Sequence, residues 1–156
     1  MRPGWITRDG DRECHGRVDL SRSETARSAH VRKRRGWILI VTMAASFLVM
    51  RGSMALRPDA DFNVAGYNIH HLFTGLLILT ICGIPLIIGN VQGRMGDWLT
   101  AGFGIGLALA LDEWVYLIAT DGSNASYLLP VSFWGGVIIV GAAIGYAALL
   151  LRRKDR

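Results

Sequence analysis

After a polar N-terminal stretch, the chain consists of long apolar runs separated by short polar connections. The apolar runs lie at about 37–56, 69–89, 98–120 and 129–151. Because an α-helix rises about 1.5 Å per residue, roughly 20 apolar residues cross the hydrocarbon core of a bilayer. The pattern therefore predicts an all-α membrane protein with four transmembrane helices.

Composition agrees with this reading and limits what else the chain can contain. Of its 156 residues, 51% are hydrophobic and 19% are charged, and the mean hydropathy is +0.33. Nearly all of the apolar residues follow Gly36. We therefore predict a four-helix transmembrane domain over residues 36–152, a basic cytoplasmic end at 153–156, and the lipid bilayer as the main partner.

Residues 1–35 differ from the rest of the chain. They contain ten Arg or Lys and five acidic residues, with few apolar side chains and no helical periodicity. Such a composition predicts a disordered basic tail. The contrast with the body also suggests an over-extended gene start over residues 1–30, with translation beginning near Val31. No nucleic acid is expected as a partner, because the tail lacks interleaved aromatic residues and a recognisable nucleic-acid-binding fold.

The distribution of positive charge predicts the orientation of the four helices. Residues 32–35, Arg94 and residues 152–156 carry the basic side chains of one face, and Arg57 is alone on the other. Short connections on the cytoplasmic side of a membrane carry an excess of Lys and Arg. We therefore expect a multi-pass protein of the cell (inner) membrane with both termini in the cytoplasm.

Polar side chains inside the apolar runs are the candidate functional residues: Arg51, His70, His71, Asp112 and Glu113. A charge within the membrane costs roughly 2.5–3.5 kcal/mol on insertion scales, so such residues normally face protein and have partners. In the predicted topology all five lie in the outer half of the bilayer. One alternative for Arg51 is a side chain that extends to the nearby interface instead.

Two further features of the helices bear on this polar cluster. Tyr116 lies one turn from Asp112 and is a candidate hydrogen-bond partner, whereas the remaining aromatic residues near the span ends are typical of an interfacial belt: Tyr67, Trp98, Trp114, Tyr127 and Trp134. Small residues recur at helical spacing, which allows close helix packing in lipid. These helix-packing candidates are Gly75, Gly102, Gly106, Gly141 and Gly145.

Several functions fit a buried cluster of this composition. It can be a structural ion-pair network that fixes helix register. His70, His71, Asp112 and Glu113 could alternatively bind a divalent metal such as Zn²⁺, Fe²⁺ or Mn²⁺, with hydrolysis by a metal-bound water as one outcome. A histidine next to buried carboxylates also suits a proton relay. Transport of this kind would need a homo-oligomer, because four helices form a small frame.

The motifs Ile69-His70-His71 with Gly75, and Gly104-Ile-Gly106 continuing to Asp112-Glu113, resemble those of an uncharacterised bacterial family. Its members are small multi-pass integral membrane proteins with "HH…G" and "GxGxALxxDE" motifs. The resemblance covers roughly residues 50–135 and implies a four-span fold with a shared polar site, but no activity.

The sequence thus favours a non-enzymatic integral membrane protein whose polar cluster is structural or responds to cations or protons. The alternative is a small intramembrane metal-dependent hydrolase or metal-binding protein.

Overall fold

The computed structural model describes residues 9–56, 63–64, 67–68, 71–120, 124–127 and 129–153; for 9–25, 63–64, 67–68 and 124–125 it describes the backbone alone. In chain order the elements are α1 (Asp9–Leu56), β1 (Asn63–Val64), β2 (Tyr67–Asn68), α2 (His71–Ile88), α3 (Gly93–Ala119), α4 (Asn124–Tyr127) and α5 (Pro130–Arg153). The two-residue strands pair antiparallel, with Asn63 opposite Asn68.

Four helices are long and apolar enough to cross a membrane: Ala26–Leu56 within α1, His71–Ile88, Gly93–Ala119 and Pro130–Arg153. Each of them overlaps one of the four apolar runs. Apart from the two short strands, the predicted helical architecture, with four helices long and apolar enough to cross a membrane, is therefore confirmed.

The N-terminal stretch differs from its prediction, because α1 begins at Asp9 and includes residues 9–35, for which we expected disorder. This region has no apolar face, but it is rich in arginine and holds no proline after residue 3. Arginine is a good helix former, so a helix can continue from the apolar span into a polar sequence. The chain divides into two compact units, Met1–Arg34 and Arg35–Arg156, and α1 contributes to both.

Within the second unit, α3 is the central helix. In the apolar 18-residue stretch of α3, 44% of the residues are buried inside the protein, against 11–17% in the corresponding stretches of the other three spans. Its glycines permit this packing: a Cβ on Gly104 would lie 3.0 Å from the Leu39 carbonyl oxygen of α1, and one on Gly106 would lie 2.7 Å from the Gly75 carbonyl oxygen of α2. The side chain of Val115 fills the space beside Gly135 of α5.

The buried apolar side chains form a thin core around α3, and they include Met43, Ala108, Tyr116 and Val140. Many larger apolar side chains point outward instead, for example Leu48, Ile87 and Ile138, which are 68%, 84% and 69% exposed. A water-soluble protein rarely exposes contiguous apolar surface on this scale. The outward surface of the helices therefore suits a lipid environment.

Candidate functional site

An ion pair between α1 and α3 lies at one end of the helix bundle. Arg51, five residues before the end of α1, and Asp112, seven before the end of α3, are 7% and 4% exposed. The Arg51 Nε and Nη2 groups donate to Asp112 Oδ1 at 2.9 and 2.6 Å. Charge-assisted bonds of this kind are roughly twice as strong as neutral ones. Arg51 therefore does not extend to the interface, the alternative raised from its sequence position.

The remaining hydrogen bonds of Arg51 go to α4 and to the first turn of α5. Its Nη1 group donates to the Tyr127 carbonyl oxygen at 2.9 Å, and its Nη2 group donates to the Ser132 carbonyl oxygen at 2.9 Å. The Ser132 hydroxyl oxygen lies 3.3 Å from both nitrogens. One guanidinium group thus connects α1 to α3, to α4 and to the first turn of α5.

The second carboxylate oxygen of Asp112 is also occupied, because the Tyr127 hydroxyl donates to Oδ2. Burial first, and then the negative charge of Asp112, raise the pKa of the Tyr127 phenol above its ordinary value. Tyr127 therefore remains a protonated donor throughout the physiological pH range. Both oxygens of Asp112 accept hydrogen bonds, from two different side chains.

Aromatic rings enclose the Arg51 guanidinium group. The ring of Tyr127 lies 4.2 Å from Arg51 Cζ, and the rings of Phe47 and Phe133 lie at 5.8 and 5.9 Å. Tyr127 also packs edge-on against Tyr116, with ring centroids 5.2 Å apart. Cation–π contacts of this type gain strength when water is excluded.

The backbone of α5 approaches the ion pair closely at Gly136. A Cβ at this position would collide with Asp112 Oδ1 and would lie 2.9 Å from Arg51 Nη2. Any side chain at residue 136 would therefore displace the carboxylate or the guanidinium group. We call Arg51, Asp112, Tyr127 and Ser132, together with Gly136, the clamp.

Glu113, although adjacent to Asp112, has a different partner helix. It is 3% exposed, and its Oε2 accepts a hydrogen bond from the backbone N–H of Leu72, the second residue of α2. The first N–H groups of a helix have no partner within the helix, so Glu113 satisfies one of them from a neighbouring element. Adjacent helical residues point about 100° apart, which explains why the two carboxylates serve different helices.

Most of the predicted polar residues do lie at this end of the bundle. Arg51 and Asp112 meet directly, Tyr116 joins them through Tyr127, and the half-buried His71 begins α2 beside the Glu113 contact. His70 lies outside the described residues. Tyr127 was expected in the aromatic belt but is 4% exposed and belongs to the clamp, whereas Trp98, Trp114 and Trp134 are 72%, 51% and 60% exposed.

Ser132 and the role of Tyr127 were not predicted from the sequence. Tyr127 ends α4 and Ser132 lies in the first turn of α5, at the same end of the bundle as Arg51 and Asp112. Their position at the same end of the bundle could have been inferred from the predicted topology. Which side chain and which carbonyl oxygen turn towards Arg51 depends on how the chain folds between α3 and α5.

The predicted glycine contacts divide into two groups. Gly75 and Gly106 lie against each other, since a Cβ on Gly75 would be 2.7 Å from the Gly106 carbonyl oxygen, and a Cβ on Gly102 would lie 2.5 Å from Cys82 Sγ. At Gly141 and Gly145, by contrast, an added Cβ would have no atom of another element within 4 Å. The stripe on α5 therefore packs against nothing in the described part of the chain.

The metal-binding alternative finds no geometric support among the residues that the structure describes. They contain no group of three or more His, Cys, Asp or Glu side chains placed to hold a metal ion. Asp112, one of the predicted ligands, is already occupied by Arg51 and Tyr127. The geometry of the clamp suits a role in holding four elements together. It does not suit proton transfer between Arg51 and Asp112, because an arginine does not release its proton in proteins.

Comparison with known proteins shows a similarity that extends over most of the chain. The chain is 30% identical over 119 residues to the glycerol dehydrogenase small subunit of Gluconobacter oxydans (strain 621H), and the alignment covers 76% of this chain and 83% of that protein. No protein-family model matches the chain, and no solved structure matches it.

Proposed function

This chain belongs to the family of the glycerol dehydrogenase small subunit, and we propose that it is the membrane-spanning small subunit of such a dehydrogenase. In this role it holds a larger subunit at the membrane, and the larger subunit catalyses the oxidation of the alcohol. The observation that carries the proposal is the similarity over 83% of the relative's length, combined with four apolar helices.

The size and surface of the chain support an anchoring role. Four membrane helices account for most of residues 26–153, and their outward side chains are largely apolar. Such a surface is stable in lipid, and the polar ends and connections remain for contact with a subunit outside the membrane. In this proposal the partner of the chain is a larger subunit, and not a further copy of the chain as expected for a transport role.

Within this proposal the clamp has a structural role. Removing one member of a buried ion pair is strongly destabilising, and in this proposal the intact pair fixes how the elements around it are arranged. By joining α1, α3, α4 and α5, it fixes the end of the bundle to which the connection between α3 and α5 belongs. With both termini in the cytoplasm, as charge distribution favours, this end lies in the outer half of the cell (inner) membrane.

A proton-responsive role is the second candidate, and it would be located at Glu113 rather than at Asp112. Glu113 is a buried carboxylate that accepts a hydrogen bond from the backbone N–H of Leu72, and His71 begins the helix that it contacts. The metal-dependent hydrolase is not favoured by any described contact.

Co-purification from cells that make this chain tests the proposal. The full chain with an affinity tag is solubilised in mild detergent, and glycerol-dependent reduction of an artificial electron acceptor is measured in the eluate. We expect the activity to elute with the tagged chain and to be absent from the eluate of untagged cells.

The matched variants Gly136→Ala and Gly141→Ala make the test specific for the clamp. Both add one methyl group to α5, but only the first meets Asp112 and Arg51. We expect Gly141→Ala to retain the activity and Gly136→Ala to lose much of it. Elution of the intact parent chain without activity, while the activity remains in the flow-through, would overturn the proposal.

A further inference from the structure

The end of the bundle opposite the clamp carries an excess of positive charge. Within the second compact unit, α1 contributes Arg35, α3 contributes Arg94, and α5 contributes Arg152 and Arg153. Asp97 is the acidic residue of this region: the sequence contains no other acidic side chain over 86–100, 35–50 or 141–153. These three segments of the sequence therefore contain four arginines and one aspartate.

Contacts around Arg35 bring these three helices to the same level. The Arg35 Nη2 group donates to the carbonyl oxygen of Val91, three residues before Arg94, at 2.7 Å. The next residue of α1, Gly36, lies against the side chain of Leu151, which directly precedes Arg152. The start of α3 and the end of α5 thus both lie beside the same turn of α1.

The positive charge of this end is only partly compensated. Arg35 Nε lies 3.8 Å from Asp97 Oδ1, which exceeds a hydrogen bond, and it donates to no other atom of the described residues. Arg94, Arg152 and Arg153 are exposed, and none of them pairs with another described residue. The guanidinium groups of these three exposed arginines favour an anionic ligand.

The surroundings identify the chemical class of that ligand. Trp98 lies one turn after Arg94 on α3 and is 72% exposed, and Trp37, two residues after Arg35, is 55% exposed. Exposed tryptophans on apolar helices mark the depth of the lipid headgroups. At this depth the anions that meet the arginines are phosphates of lipids, and arginine binds phosphate through paired N–H groups.

We propose that this arginine end, formed by Arg35, Arg94, Arg152 and Arg153, binds the phosphate of anionic phospholipid headgroups. The interaction is independent of the proposed dehydrogenase role. Each basic residue near an anionic membrane surface contributes about 1 kcal/mol, which corresponds to about a five-fold preference.

Fluorescence quenching by lipids tests this proposal on the full chain. A variant that retains Trp98 as its one tryptophan is reconstituted in phosphatidylcholine vesicles containing an equal fraction of acyl-brominated phosphatidylglycerol or acyl-brominated phosphatidylcholine. We expect a preference of about five-fold or more for phosphatidylglycerol at Trp98. A chain that retains only Trp134, at the opposite end, is expected to show a ratio near one.

Replacing Arg94, Arg152 and Arg153 with glutamine should bring the ratio at Trp98 close to one. Arg94→Gln alone should lower it in part, and this single exposed change remains informative if the triple variant folds poorly. A charge-matched control, with glutamine at Arg2, Arg8 and Arg12 of the tail, should retain the preference.

Three outcomes would overturn the proposal. The parent could show no preference, the triple variant could retain it, or the tail control could abolish it. Inorganic phosphate at matched ionic strength distinguishes the source of the ligand: its removal of the preference would assign the arginines to free phosphate rather than to a lipid.

Discussion

Asp112 is a carboxylate in an apolar helix, and its two oxygens are occupied by side chains from two other elements, Arg51 and Tyr127. An unpaired charge here would be costly, because neither lipid nor the core can replace its hydration. The contribution of the clamp to stability therefore depends on both charges being present, because either charge alone would be buried without its partner and would destabilise the fold.

Removing either charge should expose this asymmetry. We expect Asp112→Asn and Arg51→Gln each to lower the free energy of unfolding by about 3–5 kcal/mol, because each leaves the opposite charge buried without its partner. The double variant should lose clearly less than the sum of the two. Unfolding in mixed micelles measures all four proteins, and strict additivity would show that the two side chains do not act as a pair.

The Tyr127 hydroxyl provides a finer test. Tyr127→Phe keeps the ring beside Arg51 but leaves Asp112 Oδ2 without that donor, so we expect a loss of about 1–3 kcal/mol in the free energy of unfolding. Tyr146→Phe is the matched control, because Tyr146 is 65% exposed on α5 and should change little.

The same pair of variants predicts a dependence on alkaline pH. Burial raises the pKa of Tyr127 in the folded protein, so its contribution is complete below the ordinary tyrosine pKa of about 10 and is lost as the pH rises above it. The parent and Tyr146→Phe should therefore lose stability above pH 10 more steeply than Tyr127→Phe. Equal slopes would contradict the assigned role of the hydroxyl.

At the level of the helices, the packing of α3 depends on where side chains are absent. Gly104 allows close approach of α1, and Gly106 allows close approach of α2. On α5, Gly136 leaves space for the side chains of Asp112 and Arg51. Membrane helices gain stability from close backbone approach, since lipid provides no hydrophobic driving force between them.

A pair of glycine variants tests this packing. Gly75→Ala places a methyl group 2.7 Å from the Gly106 carbonyl oxygen and 2.8 Å from the Ala110 backbone nitrogen, so α2 and α3 must separate. We expect a loss of about 1–3 kcal/mol in the free energy of unfolding. Gly145→Ala enters open space, and because alanine favours helix over glycine it should be neutral or slightly stabilising. Equal effects of the two changes would contradict close packing at Gly75.

The helices themselves could be predicted well, because a long apolar run has few alternatives in a membrane. Their polar ends could not: α3 begins at Gly93 rather than near 98, since hydropathy does not register a polar first turn. Pro85 lies inside α2 near its end, and the helix continues to Ile88.

The candidate site was predictable in part for a similar reason. The cost of buried charge required partners for Arg51 and Asp112, and a common level followed from the alternating direction of the spans. Which partner each carboxylate has depends on helix rotation, which the sequence leaves open. Tyr127 and Ser132 required knowledge of how the connection after α3 folds. The resemblance to the "HH…G" family remains a prediction.

For the whole molecule, exposed tryptophans indicate how the protein lies in the bilayer. Trp98 and Trp114 are 16 residues apart on α3, which corresponds to about 24 Å along the helix. Asp112 lies half a turn from Trp114 but is buried in the bundle, so we expect the clamp in the leaflet that holds Trp114 and the arginine end in the leaflet that holds Trp98.

The direction in which the chain crosses the membrane is a separate prediction. In a chain with Cys14 and Cys82 replaced by serine, Ser123→Cys should react with a membrane-impermeant thiol reagent in intact spheroplasts. Arg94→Cys should react only after permeabilisation, because positive charge keeps its connection in the cytoplasm. The reverse pattern would place the clamp in the inner leaflet.

Deletion of the gene tests most directly the proposal that this chain is the membrane subunit of a dehydrogenase. Glycerol-dependent reduction of an artificial electron acceptor is measured in the membrane and soluble fractions of cells with and without the chain. We predict that the activity sediments with membranes only when the chain is present, and that re-expression restores it. An unchanged amount of membrane-bound activity in the deletion strain would contradict the claim.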